Sequence, residues 1–186
     1  MRMISLLLLA PGLATLAACA NYEAGLASPR SSHDILLGIK AVADSKDLAN
    51  VDFVGKRLQI NLVQEPETPV YESADQLILG YGSEVKQKGG AKEYRLEDFR
   101  YGIFRPRDRN FENVIISVSM NATAICINST DLKDVFIKVD RSVNPHISWP
   151  VFSYDSPKVE GIKAYFRFGE DGCLRKFGFF QNSNKE

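Results

Sequence analysis

The residue types in this chain best suited to chemistry are arginines. Arg100-Tyr101-Gly102-Ile103-Phe104-Arg105-Pro106-Arg107-Asp108-Arg109 interleaves four guanidinium groups with two aromatic rings and runs, past Pro106, into a loop. Planar guanidinium groups can hold a carboxylate or a phosphate through paired hydrogen bonds, and they stack on rings. A recognition role requires Arg105, Arg107 and Arg109 to be exposed and not taken up by the chain's own carboxylates. The alternative is a solvated strand end, because Glu97, Asp98 and Asp108 lie close enough in sequence to pair with them. A second segment, Asn144-Pro145-His146-Ile147-Ser148-Trp149-Pro150, sets the single tryptophan and one of two histidines between prolines. That composition suits a stiff loop presenting Trp149 as an aromatic anchor, and equally a ring tucked over the edge of the core.

Catalytic constellations are not legible. His33 and His146 have no ligand-spaced neighbours, and the serines lack the Gly-x-Ser-x-Gly turn that would expose a nucleophile. Gly80-Tyr81-Gly82 lacks the third glycine of a phosphate loop, and Gly89-Gly90 reads as a hairpin turn. Glu170 and Asp171 fall in a turn, where acids serve backbone geometry and solubility. The expectation is a protein that is not an enzyme and that carries no metal or other cofactor.

Where the chain acts is written at its start. Arg2 precedes an apolar run from Ile4 to Ala18, too short to span a bilayer and bounded as export signals are. Leu16-Ala17-Ala18-Cys19 resembles the lipobox of bacterial lipoproteins, in which the cysteine is acylated and becomes the mature N-terminus. The resemblance covers about the first twenty residues. It implies lipidation at Cys19 and, since Ala20 is not the aspartate associated with inner-membrane retention, a place on the periplasmic face of the outer membrane. Acyl chains contribute about 0.8 kcal/mol per buried methylene, so several on one cysteine anchor a protein without a transmembrane helix. The competing reading is ordinary secretion: Ala18-Cys19-Ala20 also fits a small-x-small cleavage site before Asn21, leaving a secreted or soluble periplasmic protein.

Either way the mature chain keeps Cys126 and Cys173, and export puts them in an oxidising compartment. An even pair there points to one disulfide, with two buried thiols as the alternative. Charge offers no general pull towards nucleic acid or anionic lipid: basic and acidic residues number 23 each, and loss of Arg2 leaves the mature chain one unit acidic. Residues 1–18 read as the signal, 19–30 as a lipidated tether and 31–186 as one domain with room for a core.

The elements that must position these groups follow from periodicity. Ser31 and Asp34 approximate a capping box ahead of Ile35, Leu36, Ile39, Val42 and Ala43, spaced as one face of a helix. After the polar break Asp44 to Asn50, Asp52 can cap a second short helix carrying Phe53, Val54 and Leu58. Gln59 to Gln64, Gln76 to Val85 and Glu93 to Phe104 read as strands, with Pro66, Pro69 and Gly89-Gly90 as breaks. Val114, Ile116, Val118 and Met120 alternate against Ile115, Ser117 and Ser119, which predicts a strand with one loosely covered side, followed by a turn at Asn121-Ala122 and a partner strand Thr123 to Ile127. Ser129 or Thr130 can cap a short helix with Leu132, Val135 and Phe136.

The C-terminal third alternates again. Ile162, Ala164, Phe166 and Phe168 share a side, Gly169 to Gly172 turns, and the next strand sets Cys173, Arg175, Phe177 and Phe179 against Leu174, Lys176, Gly178 and Phe180. The phenylalanines read as core before they read as a binding surface. The expected fold is α+β: a single domain, mainly an antiparallel β-sheet of about six to eight strands, with N-terminal helices and one short inserted helix packed on it. The expected function is protein binding in the envelope, as an immunity protein or an accessory subunit of an envelope machine. A cell-wall or small anionic ligand-binding module is the alternative.

Overall fold

The computed structural model describes residues 30–72, 77–142 and 150–182. Ser31 starts the first helix as expected. Its hydroxyl accepts the Asp34 N–H while the Asp34 carboxylate accepts from the Ser31 N–H, and α1 (Ser32–Ala43) follows with Ile35, Leu36, Ile39, Val42 and Ala43 all buried. α2 (Val51–Leu58) is capped by Asn50, two residues before the expected Asp52, because the Asn50 side chain reaches the Phe53 N–H at 3.0 Å. The third helix, α3 (Ser129–Val135), likewise begins one residue early. Asn128 takes the cap from Ser129 and Thr130 by accepting from the N–H groups of Thr130 and Asp131.

Nine antiparallel strands form one sheet: β1 (Ile60–Gln64), β2 (Thr68–Tyr71), β3 (Ile78–Gly90), β4 (Tyr94–Pro106), β5 (Asn113–Met120), β6 (Asp140–Ser142), β7 (Val151–Asp155), β8 (Ile162–Phe168) and β9 (Leu174–Gln181). Their order is β1-β3-β4-β5-β9-β8-β7-β6, and β2 shares with β1 the outer edge of the long strand β3. The C-terminal strand β9 therefore lies mid-sheet, between β5 and β8. α1 packs on α2, α3 and β8. Ile116, Phe166, Phe168, Phe177 and Phe179 are buried with the α1 stripe in a single core. Gly38 lets α1 and α2 approach, since a Cβ there would meet the Arg57 carbonyl oxygen at 2.6 Å.

Five expectations need correction. Residues Thr123 to Ile127 form no strand. Ala124 and Ile125 donate back to the Asn121 carbonyl in a tight turn, and Cys126 and Ile127 run on irregularly to the α3 cap. Cys126 is therefore not at the end of a strand. Pro69 does not break structure but lies in β2, opposite Tyr81, where an edge strand can leave one side without a donor. Gly89-Gly90 is likewise inside β3, paired with Asn61 and Ile60, and the turn comes after it. Finally, Arg175 is an extra residue in β9: Phe168 pairs Leu174 and Arg167 pairs Lys176, so Leu174 joins Phe177 and Phe179 in the core. β6, β7 and β2 carry the strand number past the expected range.

The sheet has one covered and one open face. On the open side Ile115 is 50% exposed, and the Tyr165 ring lies across Gly178, stacked on Phe180 at 5.3 Å. Cys126 and Cys173 are bonded, with Cα atoms 5.0 Å apart, and the Leu174 N–H donates to the Ile127 carbonyl beside them. The bond thus fastens the irregular segment after β5 to the β8–β9 turn. Opening this link across 47 residues should cost about 4 kcal/mol in the chain-entropy model. The double variant Cys126→Ser/Cys173→Ser should show that loss in denaturant melts, and nonreducing peptide mapping of purified protein should recover the linked pair.

Candidate functional site

β4 runs the length of β5 and carries the arginine segment from its middle to Pro106, with Arg107 and Arg109 in the loop beyond. Tyr94 at its start pairs Met120, and Phe104 near its end pairs Asn113, so the ends lie about 24 Å apart along β5. The start of β4 is where the chain enters the fold. The Arg30 guanidinium bonds the Glu93 carboxylate, the Tyr94 hydroxyl at 3.0 Å and the Leu58 carbonyl at 3.2 Å. Burial raises the Tyr94 phenol to about 12 even against the nearby Arg30 charge, so it remains protonated.

At the other end of β4, a cleft of about 400 Å³ opens between the 105–112 segment and the α1–α2 connector. Arg105 and Arg109 line it together with Lys46, Asp47, Glu112 and Gln181. Its walls are held by hydrogen bonds. The Leu48 N–H donates to Gln181 Oε1 at 2.6 Å, the Tyr101 hydroxyl donates to the Leu48 carbonyl, and Asn182 Nδ2 donates to the Glu112 carbonyl at 3.0 Å. Burial pushes the Tyr101 phenol far up, which preserves it as a donor. The Arg107 N–H donates to the Leu79 carbonyl and fixes the path of the loop.

Two of the three candidate arginines thus meet in one cleft, and Arg107 does not line it. Arg105 also departs from the expectation that all three are unpaired. Its Nη2 lies 2.6 Å from Glu67 Oε2 and its guanidinium covers the Tyr81 ring at 5.7 Å, although half of the side chain stays exposed. Arg107 and Arg109 are exposed and have no salt-bridge partner among the described residues. Glu97 pairs Arg95 and not the later arginines. Cys19 and Trp149 lie outside the described residues.

Lys46, Asp47 and Glu112 complete the cleft and were not singled out from the sequence, where Lys46 and Asp47 read only as part of a polar break between helices. Glu112 is the responsive group among them. Burial raises its carboxyl above the ordinary value, Asp47 and Glu67 push the same way, and Arg105 opposes them.

A second polar cluster, at the C-terminus of α1, is a staple. Asp44 Oδ1 accepts from the Tyr154 hydroxyl at 2.7 Å and the Ser156 hydroxyl at 2.9 Å, and Oδ2 accepts from Lys40 at 2.6 Å. Burial alone would raise the Asp44 carboxyl, but these hydrogen bonds outweigh it and hold it low. Lys40 in turn lies over the Phe136 and Tyr154 rings. Its polar atoms are spent on one another, tying α1 to β7 and to the turn after it.

Among the described residues, no grouping of three or more His, Cys, Asp or Glu could hold a metal ion, and no helix is long and apolar enough to cross a membrane. No family model, no curated protein and no solved structure matches the chain.

A carboxyl whose folded value is raised costs stability once it must ionise. Below the ordinary value near 4.5 both states of Glu112 are protonated and that cost is absent; as the pH climbs through the raised folded value the cost appears in full. Glu112→Gln should therefore match the parent in thermal stability near pH 4 and exceed it by pH 7, with the difference level above that. Equal melting temperatures across the range would contradict this account of the cleft.

Proposed function

We propose that this protein is an exported lipoprotein, held by acyl chains on Cys19 to the periplasmic face of the outer membrane, that works by binding another envelope protein and not by catalysis. The observation that carries the reading is the meeting of Arg105 and Arg109 with Lys46 in one cleft, at the end of β4 away from Arg30. The chain arrives from its N-terminal tether at the Arg30 end. An anchored domain therefore offers its opposite end to partners standing off the membrane.

The lining itself favours a protein over a simple anion. Asp47 and Glu112 share the cleft with the three cations, so a bare phosphate or carboxylate would meet repulsion as well as attraction. A partner surface presenting both signs can match both. The volume of about 400 Å³ supports the second reading, a small cell-wall or anionic ligand, because it is within the range of small-molecule sites. Immunity against an exported toxin and service to an envelope machine are both forms of the first reading.

Two measurements test it. Mass spectrometry of the mature N-terminus should find an acylated Cys19, and Cys19→Ser should leave the protein unlipidated and released from membranes. An unmodified N-terminus at Asn21 would overturn the anchor.

Replacing Arg105, Arg107 and Arg109 together with alanine should change stability by only about 1 kcal/mol, since the Arg105–Glu67 pair is solvent-exposed. Photo-crosslinkers at positions 105 and 109 should trap a discrete envelope protein, and the triple alanine variant should weaken its capture by at least about tenfold. Undiminished capture would return the segment to a solvated strand end, and quenching of Trp149 by peptidoglycan fragments alone would favour the ligand reading.

A further inference from the structure

The end of the fold where the tether arrives carries a charge that the reading above leaves unused. Arg30 joins two segments there: its guanidinium bonds the Leu58 carbonyl at the end of α2, and Glu93 and the Tyr94 hydroxyl at the start of β4. Pairing of Ile60 with Gly90 and of Asn61 with Gly89 brings the end of β3 to the same place. Residues 30–34, 56–61 and 88–95 together hold six lysines and arginines and two carboxylates, in a chain balanced at 23 each.

Both carboxylates are engaged. Glu93 is bound by Arg30, Asp34 caps α1 through Ser31, and Glu97, just beyond these segments, takes Arg95. Lys56, Arg57, Lys88 and Lys92 remain, all exposed and without a salt-bridge partner among the described residues. Arg57 lies over the Phe53 ring at 5.2 Å, and Lys88 is the extra residue of a bulge opposite Asn61 and Leu62. Elsewhere the signs are mixed. Glu97 and Asp98 stand between Arg95 and Arg100, Glu170 and Asp171 share their turn with Arg175, and the arginine cleft sets Asp47 and Glu112 among its cations.

We infer that Lys56, Lys88 and Lys92, with Arg57 beside them, form a docking surface for anionic phospholipid headgroups and hold this end of the domain against the membrane that carries it. The orientation rests on the anchor proposed at Cys19, whereas the affinity for anionic headgroups does not. Cys19 precedes Arg30 by eleven residues, a reach of at most about 40 Å. The two ends of β4 are only about 24 Å apart, so acyl chains alone leave the domain free to turn either end to the bilayer. The lysines decide between the ends, because each basic group close to an anionic leaflet adds roughly fivefold in affinity. That attraction acts within a screening length of about 8 Å, which is why a local excess suffices in a chain with no overall charge.

The test places the lipidated protein on vesicles of phosphatidylcholine with or without phosphatidylglycerol, each containing a phospholipid with a photoreactive headgroup, and maps the crosslinks by mass spectrometry. Crosslinks should concentrate on residues 56–61 and 88–95 when phosphatidylglycerol is present and spread over the domain when it is absent. Lys56→Gln/Lys88→Gln/Lys92→Gln should lower them by at least about tenfold, while the protein stays on the vesicles through Cys19 and keeps the parent's melting temperature. Salt at about 1 M, where the screening length falls to about 3 Å, should do the same to the parent. The triple alanine variant at 105, 107 and 109 should crosslink as the parent does.

Equal crosslinks in the two kinds of vesicle, crosslinks centred on Lys46 and Arg109, or a pattern unchanged in the triple glutamine variant would each overturn the proposal. The same sample shows by mass spectrometry whether Cys19 is acylated. If it is not, the anchor fails and the surface is read by itself: the soluble mature chain should sediment with phosphatidylglycerol vesicles and not with phosphatidylcholine ones, and the triple glutamine variant should lose at least about tenfold in affinity. No sedimentation would overturn the surface as well. Protection of the three lysines by an envelope protein on neutral vesicles would overturn it in favour of a protein partner.

Discussion

Burial on one side only governs this molecule. The α1 stripe of Ile35, Leu36, Ile39 and Val42 shares its core with Ile116, Phe166, Phe177 and Phe179, and each such side chain contributes roughly 1.5 to 3 kcal/mol when removed from water. Without that layer the sheet has no second surface to pack on, so every central strand must present apolar groups to the helices at alternate positions. The other positions are released from the core. That release allows Ile115 and charged residues of both signs, Arg100 and Glu84 among them, to stand on the open face without disturbing the core.

The first helix is held at both ends by polar ties and not by the core alone. Arg30 binds Glu93 and Tyr94 just before α1 begins, while Asp44 binds Lys40, Tyr154 and Ser156 where it stops. Hydrogen bonds to charged groups are worth about 1.5 to 3 kcal/mol when well made, and both clusters are partly buried, where they are screened least. The second tie also sets where the α1–α2 connector begins, and that connector supplies Lys46 and Asp47 to the cleft. The position of the cleft is thus inherited from the end of α1.

Local patterns made much of this readable. The α1 stripe, the alternation of β5 and β8 and the phenylalanine core follow from periods of 3.6 and 2.0 in residues that face water on one side and the helices on the other. What failed was information that periodicity does not hold. Pro69 masked β2 because an edge strand forgives a missing donor, and β6 is only three residues long. Arg175 reversed the facing of Leu174 by a bulge that no alternation can announce. Asn50 and Asn128 displaced their expected caps by one or two residues because several side chains in a row were competent. At the cleft, the arginines were visible as residue types, but Lys46 and Asp47 come from the α1–α2 connector, far away in sequence, and only tertiary structure joins those segments.

The placement of β9 bears on the order in which the protein can acquire its shape. β5 borders β4 on one side and β9 on the other, so the middle of the sheet is filled by the final stretch of chain, Leu174–Gln181. Everything from α1 through β5 can form contacts earlier, yet the inner flank of β5 stays without its neighbour until that last segment is free. Such distant pairings are slow to close because loop entropy is spent before contacts repay it. The core is therefore completed only when Leu174–Gln181 slots in beside β5, and the strands made before it stay loosely held until that moment.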